Sequence, residues 1–189
     1  MAEVEKRNVF LCGFMATGKS SVGKCMAKAL HCEFLDMDAL IEAEAGITIS
    51  EIFSSQGEPA FRAMESRMVE RLAARSGCVV ATGGGAIVNP QNLEHMKRSG
   101  VVITLTADIP AILRRSAGED TRPLLRTADR EERIRSLMAQ RAPFYAKADI
   151  ILDTSSLSID EVVTVLLNRL RQSGYRVHSC ENNRSEKSV

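Results

Sequence analysis

The sequence lacks a strong charge of either sign and any long apolar run. Its formal net charge is +1 over 189 residues, which gives no reason to expect nucleic acid as the main partner. No apolar stretch approaches the ~20 residues of a membrane-spanning helix, and segment 1–8 lacks the pattern of a signal or transit peptide. We therefore expect small-molecule chemistry, with neither a nucleic acid nor a membrane as partner.

Paired cysteines are also lacking. The five cysteines are odd in number, and no two of them form a C-x-x-C pair. Cys12 and Cys78 fall inside predicted buried strands. This pattern predicts free thiols in a reducing compartment instead of a disulfide framework or a zinc site. We expect a cytoplasmic protein, working as a monomer.

One stretch carries a specific signal. Segment 13–20, Gly-Phe-Met-Ala-Thr-Gly-Lys-Ser, matches the phosphate-loop pattern G-x-x-x-x-G-K-[ST] at every fixed position. A short apolar run, 9–12, precedes it and predicts a buried strand. The apolar positions of 21–30 follow at helical spacing. A chance glycine turn before a helix is the alternative, but strand, turn and helix together favour nucleotide binding.

The chemistry of the loop follows from its residue types. Gly13 and Gly18 allow the backbone to bend so that its N–H groups point inward, and the helix N-terminus attracts phosphate. Lys19 is expected to reach the β- and γ-phosphates, and the Ser20 hydroxyl to bind Mg²⁺. The other residues predicted to contact the nucleotide are Ala16, Thr17 and Ser21.

Two carboxylates end the second predicted strand, 33–38. Asp36 and Asp38 are expected at its carboxyl end, where open α/β sheets bind ligands. One could face Mg²⁺ and the other an acceptor hydroxyl. The alternative is a pair of N-capping residues for the next helix.

A surplus of helix follows this strand. About forty helical residues separate the second and third strands, too many for one crossover helix, so a substrate-binding insertion is predicted at about 37–66. Within it Arg62 and Glu65 are three residues apart and can form a surface pair, which is also the alternative to a binding role for Arg62.

Three consecutive glycines, Gly83, Gly84 and Gly85, follow the third strand. Such a run is costly unless the backbone must approach something closely, and its N–H groups could hold a substrate oxygen. A flexible turn is the alternative.

A polar loop follows Arg115. Long loops in compact domains are often lids, so a lid is predicted at about 116–128. Arg122 within it is a candidate for stabilising the transition state, and Arg115 could stack on adenine, although both could be ordinary surface charges. Segment 174–189 is polar and is expected to be a disordered tail.

The whole pattern predicts one domain over 1–173. It is an α/β protein of the P-loop NTPase type, a three-layer α/β/α sandwich with a five-stranded parallel sheet, a helical insertion and a lid.

Taken together, the motifs resemble the shikimate kinase family over residues 8–171. The resemblance rests on six segments in order: 13–20, Phe34-x-Asp36-x-Asp38, Phe61-Arg62-x-x-Glu65, Thr82-Gly83-Gly84-Gly85, Arg122-Pro123-Leu124-Leu125 and Arg141-x-x-x-Tyr145. It implies transfer of the ATP γ-phosphate to the 3-hydroxyl of shikimate, with Mg²⁺.

The resemblance also implies roles for single residues. Asp38 would bind the ring hydroxyls and act as base, and Asp36 would hold Mg²⁺. Arg62 and Arg141 would clamp the shikimate carboxylate, and the glycine triplet would contact the ring through the Gly84 N–H. Further implied roles are closure of the lid by Arg122, a contact of Arg115 with adenine, apolar walls from Phe53 and Phe61, and support of Arg62 by Glu65.

One segment departs from the family pattern. Some members carry an Arg just after the fifth strand, where this chain has Asp153-Thr154-Ser155-Ser156. Another small-molecule kinase, such as a gluconate kinase or a nucleoside monophosphate kinase, is the nearest alternative. A nucleotide-dependent switch is the non-enzyme alternative, although the N-K-x-D motif of GTPases is absent.

Overall fold

The strand that leads into the phosphate loop lies at the centre of the sheet. A computed structural model describes residues 7–116 and 130–175. They contain five strands: β1 (Asn8–Gly13), β2 (Glu33–Asp36), β3 (Cys78–Ala81), β4 (Gly100–Thr106) and β5 (Ile150–Asp153). The order is β2-β3-β1-β4-β5, and every neighbouring pair is parallel. The carboxyl ends of all five strands therefore lie at one edge.

Helices cover both faces of this sheet. They are α1 (Lys19–Ala29), α2 (Met37–Ala45), α3 (Ile49–Ala73), α4 (Pro90–Ser99), α5 (Ile109–Arg115), α6 (Arg130–Tyr145) and α7 (Ile159–Gln172), with a 3₁₀ turn at Ala86–Val88. Helices α1 and α7 pack together on one face, and α3 packs on α4 on the other. The predicted fold class, a three-layer sandwich around a five-stranded parallel sheet, is confirmed.

Alternation along β1 builds both halves of the core. Val9 and Leu11 join the cluster under α1 and α7, whereas Phe10 and Cys12 join the cluster on the opposite face. All six residues of β1 are buried, as expected for a central parallel strand covered on both sides. Such a strand gives the loop that follows it a rigid base.

The predicted end of the second strand was wrong. Strand β2 ends at Asp36, and Asp38 lies in the first turn of α2. Met37 and Ile41 are both buried and four residues apart, which is helical spacing. Both acids still lie at the carboxyl edge of the sheet, as predicted.

Helix α3 consists of two segments joined at Gly57. Thr48 caps the first segment through a capping box with Glu51, which satisfies free N–H groups at the helix start. Gly57 has φ 81° and ψ 169°, a conformation that only glycine adopts readily. Helix α3 therefore breaks at Gly57, and Pro59 follows in its second segment.

Some predictions fall outside the described residues. Arg122 does so, as do 117–128 of the predicted lid and nearly all of the predicted tail at 174–189. Within the described part of the chain, no helix is both long and apolar enough to cross a membrane.

Candidate active site

The phosphate loop follows β1 directly and is shaped by two glycines. Gly13 has φ +135°, and a Cβ there would lie 2.1 Å from the carbonyl oxygen of Leu105. Gly18 has φ +95° and is the N-cap of α1. A side chain is therefore excluded at the first position by contact with β4 and disfavoured at both by backbone strain. The two fixed glycines of the motif are explained.

The N-terminus of α1 closes the loop. Gly18 provides no side-chain cap, and the first turn carries no acidic residue. The N–H groups and partial positive charge of this helix end therefore face the loop, an arrangement that binds phosphate. Lys19 is buried, and its Nζ donates a hydrogen bond to the carbonyl of Phe14 at 2.8 Å. Its ammonium group is thus held within the loop.

Ser20 and Asp36 meet beside the loop. The Ser20 hydroxyl donates to Asp36 Oδ2 at 2.7 Å, so a hydroxyl and a carboxylate oxygen from α1 and β2 are adjacent. These are the oxygen ligands that Mg²⁺ prefers, and Mg²⁺ commonly takes its remaining ligands from phosphate and water. The described residues include no cluster of three or more His, Cys, Asp or Glu able to hold a metal. The pair fits the predicted metal position.

Asp38 and Glu65 approach each other across Gly83. A Cβ on Gly83 would lie 2.5 Å from Glu65 Oε1 and 2.9 Å from Asp38 Oδ1. Glu65 is 1% exposed, and its Oε1 has no hydrogen-bond partner among the described residues. Burial raises the pKa of Glu65 because it outweighs the attraction of Arg62, and Asp38 raises this pKa further. The first glycine of the triplet thus makes room for two acids.

Arg62 is held by two carboxylates. Its Nη1 donates to Glu65 Oε2 and its Nη2 to Glu58 Oε1, both at 2.8 Å. Burial alone would lower the pKa of Arg62, but the two carboxylates outweigh burial and raise it. The expected Arg62–Glu65 pair forms, but it does not lie wholly on the surface: the Glu65 side chain is 2% exposed, against 30% for Arg62. Packing of this face of α3 against the sheet buries the acid.

The other two glycines contact the two arginines predicted to bind substrate. A Cβ on Gly85 would lie 2.2 Å from Arg62 Nη1, and one on Gly84 would lie 3.5 Å from Arg141 Nη1. Arg141 Nη1 also donates to the Gly84 carbonyl at 3.3 Å. A side chain at Gly83 or Gly85 would therefore collide with a charged group, whereas one at Gly84 would be in ordinary contact with Arg141.

Tyr145 completes this arrangement. Its hydroxyl donates to the same Gly84 carbonyl at 2.8 Å, and its side chain is buried. Burial raises the pKa of Tyr145 to about 12, so the hydroxyl remains a neutral donor at physiological pH. Two side chains of α6 thus fix one peptide of the glycine segment.

Two cavities share this edge of the sheet. One, of about 630 Å³, is lined by the phosphate loop together with Asp36, Asp38, Arg115 and Thr154. The other, of about 550 Å³, contains Arg62, Gly85 and Arg141, with Glu65 in its wall. The predicted substrate residues are therefore divided, with Asp38 in the first cavity and both arginines in the second. Gly83 lies close to both Asp38, which lines the first cavity, and Glu65, which lines the second.

The family model described as shikimate kinase matches residues 15–171, which is more than half of the chain. The chain belongs to the shikimate kinase family. Members of this family are kinases, a class of transferase, and they use ATP as a co-substrate.

Relatives and solved structures agree. A shikimate kinase from Geobacter metallireducens is 44% identical over 164 residues, covering 87% of this chain and 92% of the relative. The structure of a shikimate kinase from Acinetobacter baumannii in complex with shikimate matches with a TM-score of 0.87 and 34% identity, covering 90% of this chain and 96% of the other. A gluconokinase from Sinorhizobium meliloti, at 18% identity and a TM-score of 0.58, shares the fold alone.

Two polar residues near the site were missed by sequence reasoning. Tyr145 was part of a family motif but had no assigned role, and Thr154 was noted only because its segment lacks an Arg. Thr154 accepts a hydrogen bond from Arg115 Nη1 at 3.1 Å. The sequence signal for Thr154 was its place directly after β5, at the carboxyl edge where ligands bind.

Proposed function

We propose that this shikimate kinase transfers the γ-phosphate of ATP to the 3-hydroxyl of shikimate, giving shikimate 3-phosphate and ADP. The observation that carries the proposal is the convergence of Asp38, Arg62 and Arg141 on the glycine triplet, beside the phosphate loop. A ring with hydroxyls on one side and a carboxylate on the other matches an acid at one end of this surface and two guanidinium groups at the other.

The donor side uses the phosphate loop. Backbone N–H groups of the loop and the N-terminus of α1 bind the phosphates, with Lys19 neutralising charge that develops on the transferred group. Ser20 and Asp36 would hold Mg²⁺, which would neutralise negative charge on the phosphates when bound. We also propose that Arg122 contributes positive charge from the predicted lid, and that Ala16, Thr17, Ser21 and Arg115 contact the nucleotide.

On the acceptor side, Asp38 accepts a hydrogen bond from the reacting hydroxyl and takes its proton as the new P–O bond forms. Arg62 and Arg141 bind the carboxylate and fix the orientation of the ring. Gly83, Gly84 and Gly85 bring backbone close to the ring because none carries a Cβ. Since phosphoryl transfer depends mainly on positioning and charge stabilisation, holding the hydroxyl in line with the phosphate is the main contribution of these residues.

The remaining expectations concern the cellular setting. The four described cysteines are free thiols, which supports work in a reducing compartment such as the cytoplasm. We expect a monomer acting on two small molecules. Sedimentation of the purified protein with and without ATP would detect a dimer.

The experiment is an acceptor comparison. ADP release with ATP and Mg²⁺ is measured in the presence of shikimate, gluconate, nucleoside monophosphates or no acceptor, and the phosphorylated product is located by phosphorus NMR. We expect release to rise with shikimate alone and the phosphate to appear on the 3-hydroxyl. Release that rises only with gluconate or a nucleotide would contradict the proposal, as would phosphate on another hydroxyl.

A further inference from the structure

Thr154 joins three elements at the nucleotide side of the site. It follows the last residue of β5 and is 2% exposed. Its Oγ1 lies 3.2 Å from the carbonyl oxygen of Thr17 in the phosphate loop and 3.0 Å from the carbonyl oxygen of Thr106 at the end of β4. A hydroxyl has one hydrogen to donate, so the two carbonyls share it. The side chain thereby connects the phosphate loop to the ends of β4 and β5.

The lone pairs of the same hydroxyl face Arg115. Arg115 Nη1 donates to Thr154 Oγ1 at 3.1 Å, and Nη2 donates to the Thr154 carbonyl. The guanidinium is thus bound by two oxygens of one residue, and these fix both its position and its plane. Arg115 is otherwise an exposed side chain at the end of α5, and such chains lose considerable rotamer freedom when they are fixed.

Both residues line the cavity of about 630 Å³ that contains the phosphate loop. We propose that Thr154 is a positioning residue for nucleotide binding: its hydroxyl fixes the Arg115 guanidinium at a set distance from the phosphate loop before the nucleotide arrives. Preorganisation of this kind increases affinity because the ordering cost is met in the free enzyme. The proposal rests on the proposed function only in that the cavity binds a nucleotide.

The backbone of Thr154 alone would not position the Arg115 guanidinium in this way. Its N–H donates to the Thr106 carbonyl at 2.8 Å, which continues the strand pairing regardless of the side chain. Removing the hydroxyl therefore leaves the backbone in place while removing the acceptor for Arg115 Nη1 and the donor to Thr17. This separation allows the positioning role to be tested apart from the structural one.

The test measures ADP affinity by calorimetry, without shikimate, for Thr154→Val and Thr154→Ser. Valine keeps the shape and lacks the hydroxyl, and we expect ADP binding to weaken about five- to tenfold. Serine keeps the hydroxyl and is expected to bind ADP within about twofold of the wild type. Thr164→Val is the control, because Thr164 donates to the Asp160 carbonyl at 2.8 Å on the exposed face of α7.

A second arm asks whether Thr154 acts through Arg115. In the Arg115→Ala background, Thr154→Val should cost clearly less affinity than in the wild type, because the group to be positioned is gone. An equal loss in both backgrounds would overturn the proposal. So would wild-type ADP affinity in Thr154→Val, even with a lower melting temperature, since that combination indicates a purely structural threonine.

Steady-state kinetics complete the design. The KM for ATP should rise in Thr154→Val while the KM for shikimate stays within about twofold; a matching rise in both would overturn the proposal. Should the valine variant fail to fold, Thr154→Cys, with a weak donor of similar volume, takes its place with the same expected direction. Because ADP binding needs no acceptor, absence of shikimate-dependent turnover would refute the proposed function while leaving this comparison intact.

Discussion

Glu65 binds Arg62 with one carboxylate oxygen, which accepts a hydrogen bond from the guanidinium at 2.8 Å, while its other oxygen faces Gly83. The pair joins a side chain that is 2% exposed to one that is 30% exposed. Its buried end lies near Asp38, beside Gly83, and its outer end lines the second cavity. The proposed hydroxyl-binding acid and the proposed carboxylate-binding arginine are therefore electrostatically coupled through Glu65.

The first prediction concerns stability against pH. The pKa of Glu65 is raised in the folded state by burial, so the folded protein binds this proton more tightly than the unfolded chain does. The contribution of Glu65 is then fully present below its unfolded pKa and is lost as pH rises through its folded pKa. We expect the free energy of unfolding of the wild type, minus that of Glu65→Gln, to fall as pH rises from 5 to 7.5.

Urea denaturation at several pH values measures this difference. Glu58→Gln is the control, because Glu58 also pairs with Arg62 but its side chain is 50% exposed, so its replacement should leave the slope unchanged. A difference for Glu65→Gln that is constant or increases with pH would contradict the prediction.

A second prediction uses the missing side chain of Gly85. A Cβ there would lie 2.2 Å from Arg62 Nη1, which is the far end of a flexible side chain. Gly85→Ala should therefore fold, with the guanidinium displaced from its place beside the triplet. We expect the KM for shikimate to rise about tenfold or more, with the KM for ATP nearly unchanged.

Gly84→Ala gives the matched comparison. A Cβ on Gly84 would lie 3.3 Å from the Gly13 carbonyl and 3.5 Å from Arg141 Nη1, contacts that need shifts of only tenths of an ångström. Its effect on the KM for shikimate should be smaller than that of Gly85→Ala. The reverse order would show that the Arg62 contact is not what the glycine at 85 preserves.

The local parts of this site were predictable from the sequence, and the long-range parts were not. The phosphate loop combines its chemistry and its backbone requirements within eight residues, so the motif predicts both. The end of β2 was misjudged because buried Leu35 and Met37 alternate as in a strand, while Met37 and Ile41 also fit a helix. Local spacing does not decide between these patterns; packing against the sheet does.

Burial of charge was the other limit. In the sequence, an Arg and a Glu three residues apart look the same whether the helix is solvated or, as here, packs its Glu65 against Gly83. The contact between Tyr145 and Gly84 joins residues 61 positions apart, so no local pattern indicates it. The roles of the site residues themselves stay predictions, which variants at these positions test.

The third prediction removes the carboxylate clamp. Arg62→Ala should raise the KM for shikimate strongly, since a charge-assisted hydrogen bond contributes about 1.5–3 kcal/mol. It also leaves Glu65 buried without its partner, so the unfolding free energy should fall. Arg135→Ala is the control, because Arg135 forms an exposed pair with Glu131 at 2.8 Å on α6. An effect of Arg62→Ala on the KM for ATP alone would contradict the clamp.

A fourth prediction separates binding from chemistry at Asp38. Asn is similar in shape but cannot take a proton, so Asp38→Asn should leave ADP affinity within about twofold while kcat falls by about a hundredfold or more. Asp160→Asn, at an exposed position in the first turn of α7, controls for the loss of one negative charge. Near-normal turnover in Asp38→Asn would remove Asp38 from the proposed mechanism.

The last prediction tests whether Tyr145 fixes the Gly84 peptide. Tyr145→Phe removes the 2.8 Å hydrogen bond to the Gly84 carbonyl and leaves Arg141 as the side chain that contacts it. The loss should cost about 0.5–1.5 kcal/mol of stability and raise the KM for shikimate several-fold, because the glycine backbone loses one of its two fixed points. Since the pKa of Tyr145 is raised to about 12, the effect should be constant between pH 6 and 9.

Tyr175→Phe is the matched control for that measurement. The Tyr175 hydroxyl also donates to a backbone carbonyl, that of Arg7 at 2.6 Å, and burial raises the pKa of Tyr175 to about 12 as well. Tyr175 follows α7 and lines neither cavity, so its loss should lower stability by a similar amount and leave both KM values unchanged. Of the two tyrosines, only Tyr145 contacts the glycine segment. Equal effects of the two variants on the KM for shikimate would therefore mean that Tyr145 acts through stability alone.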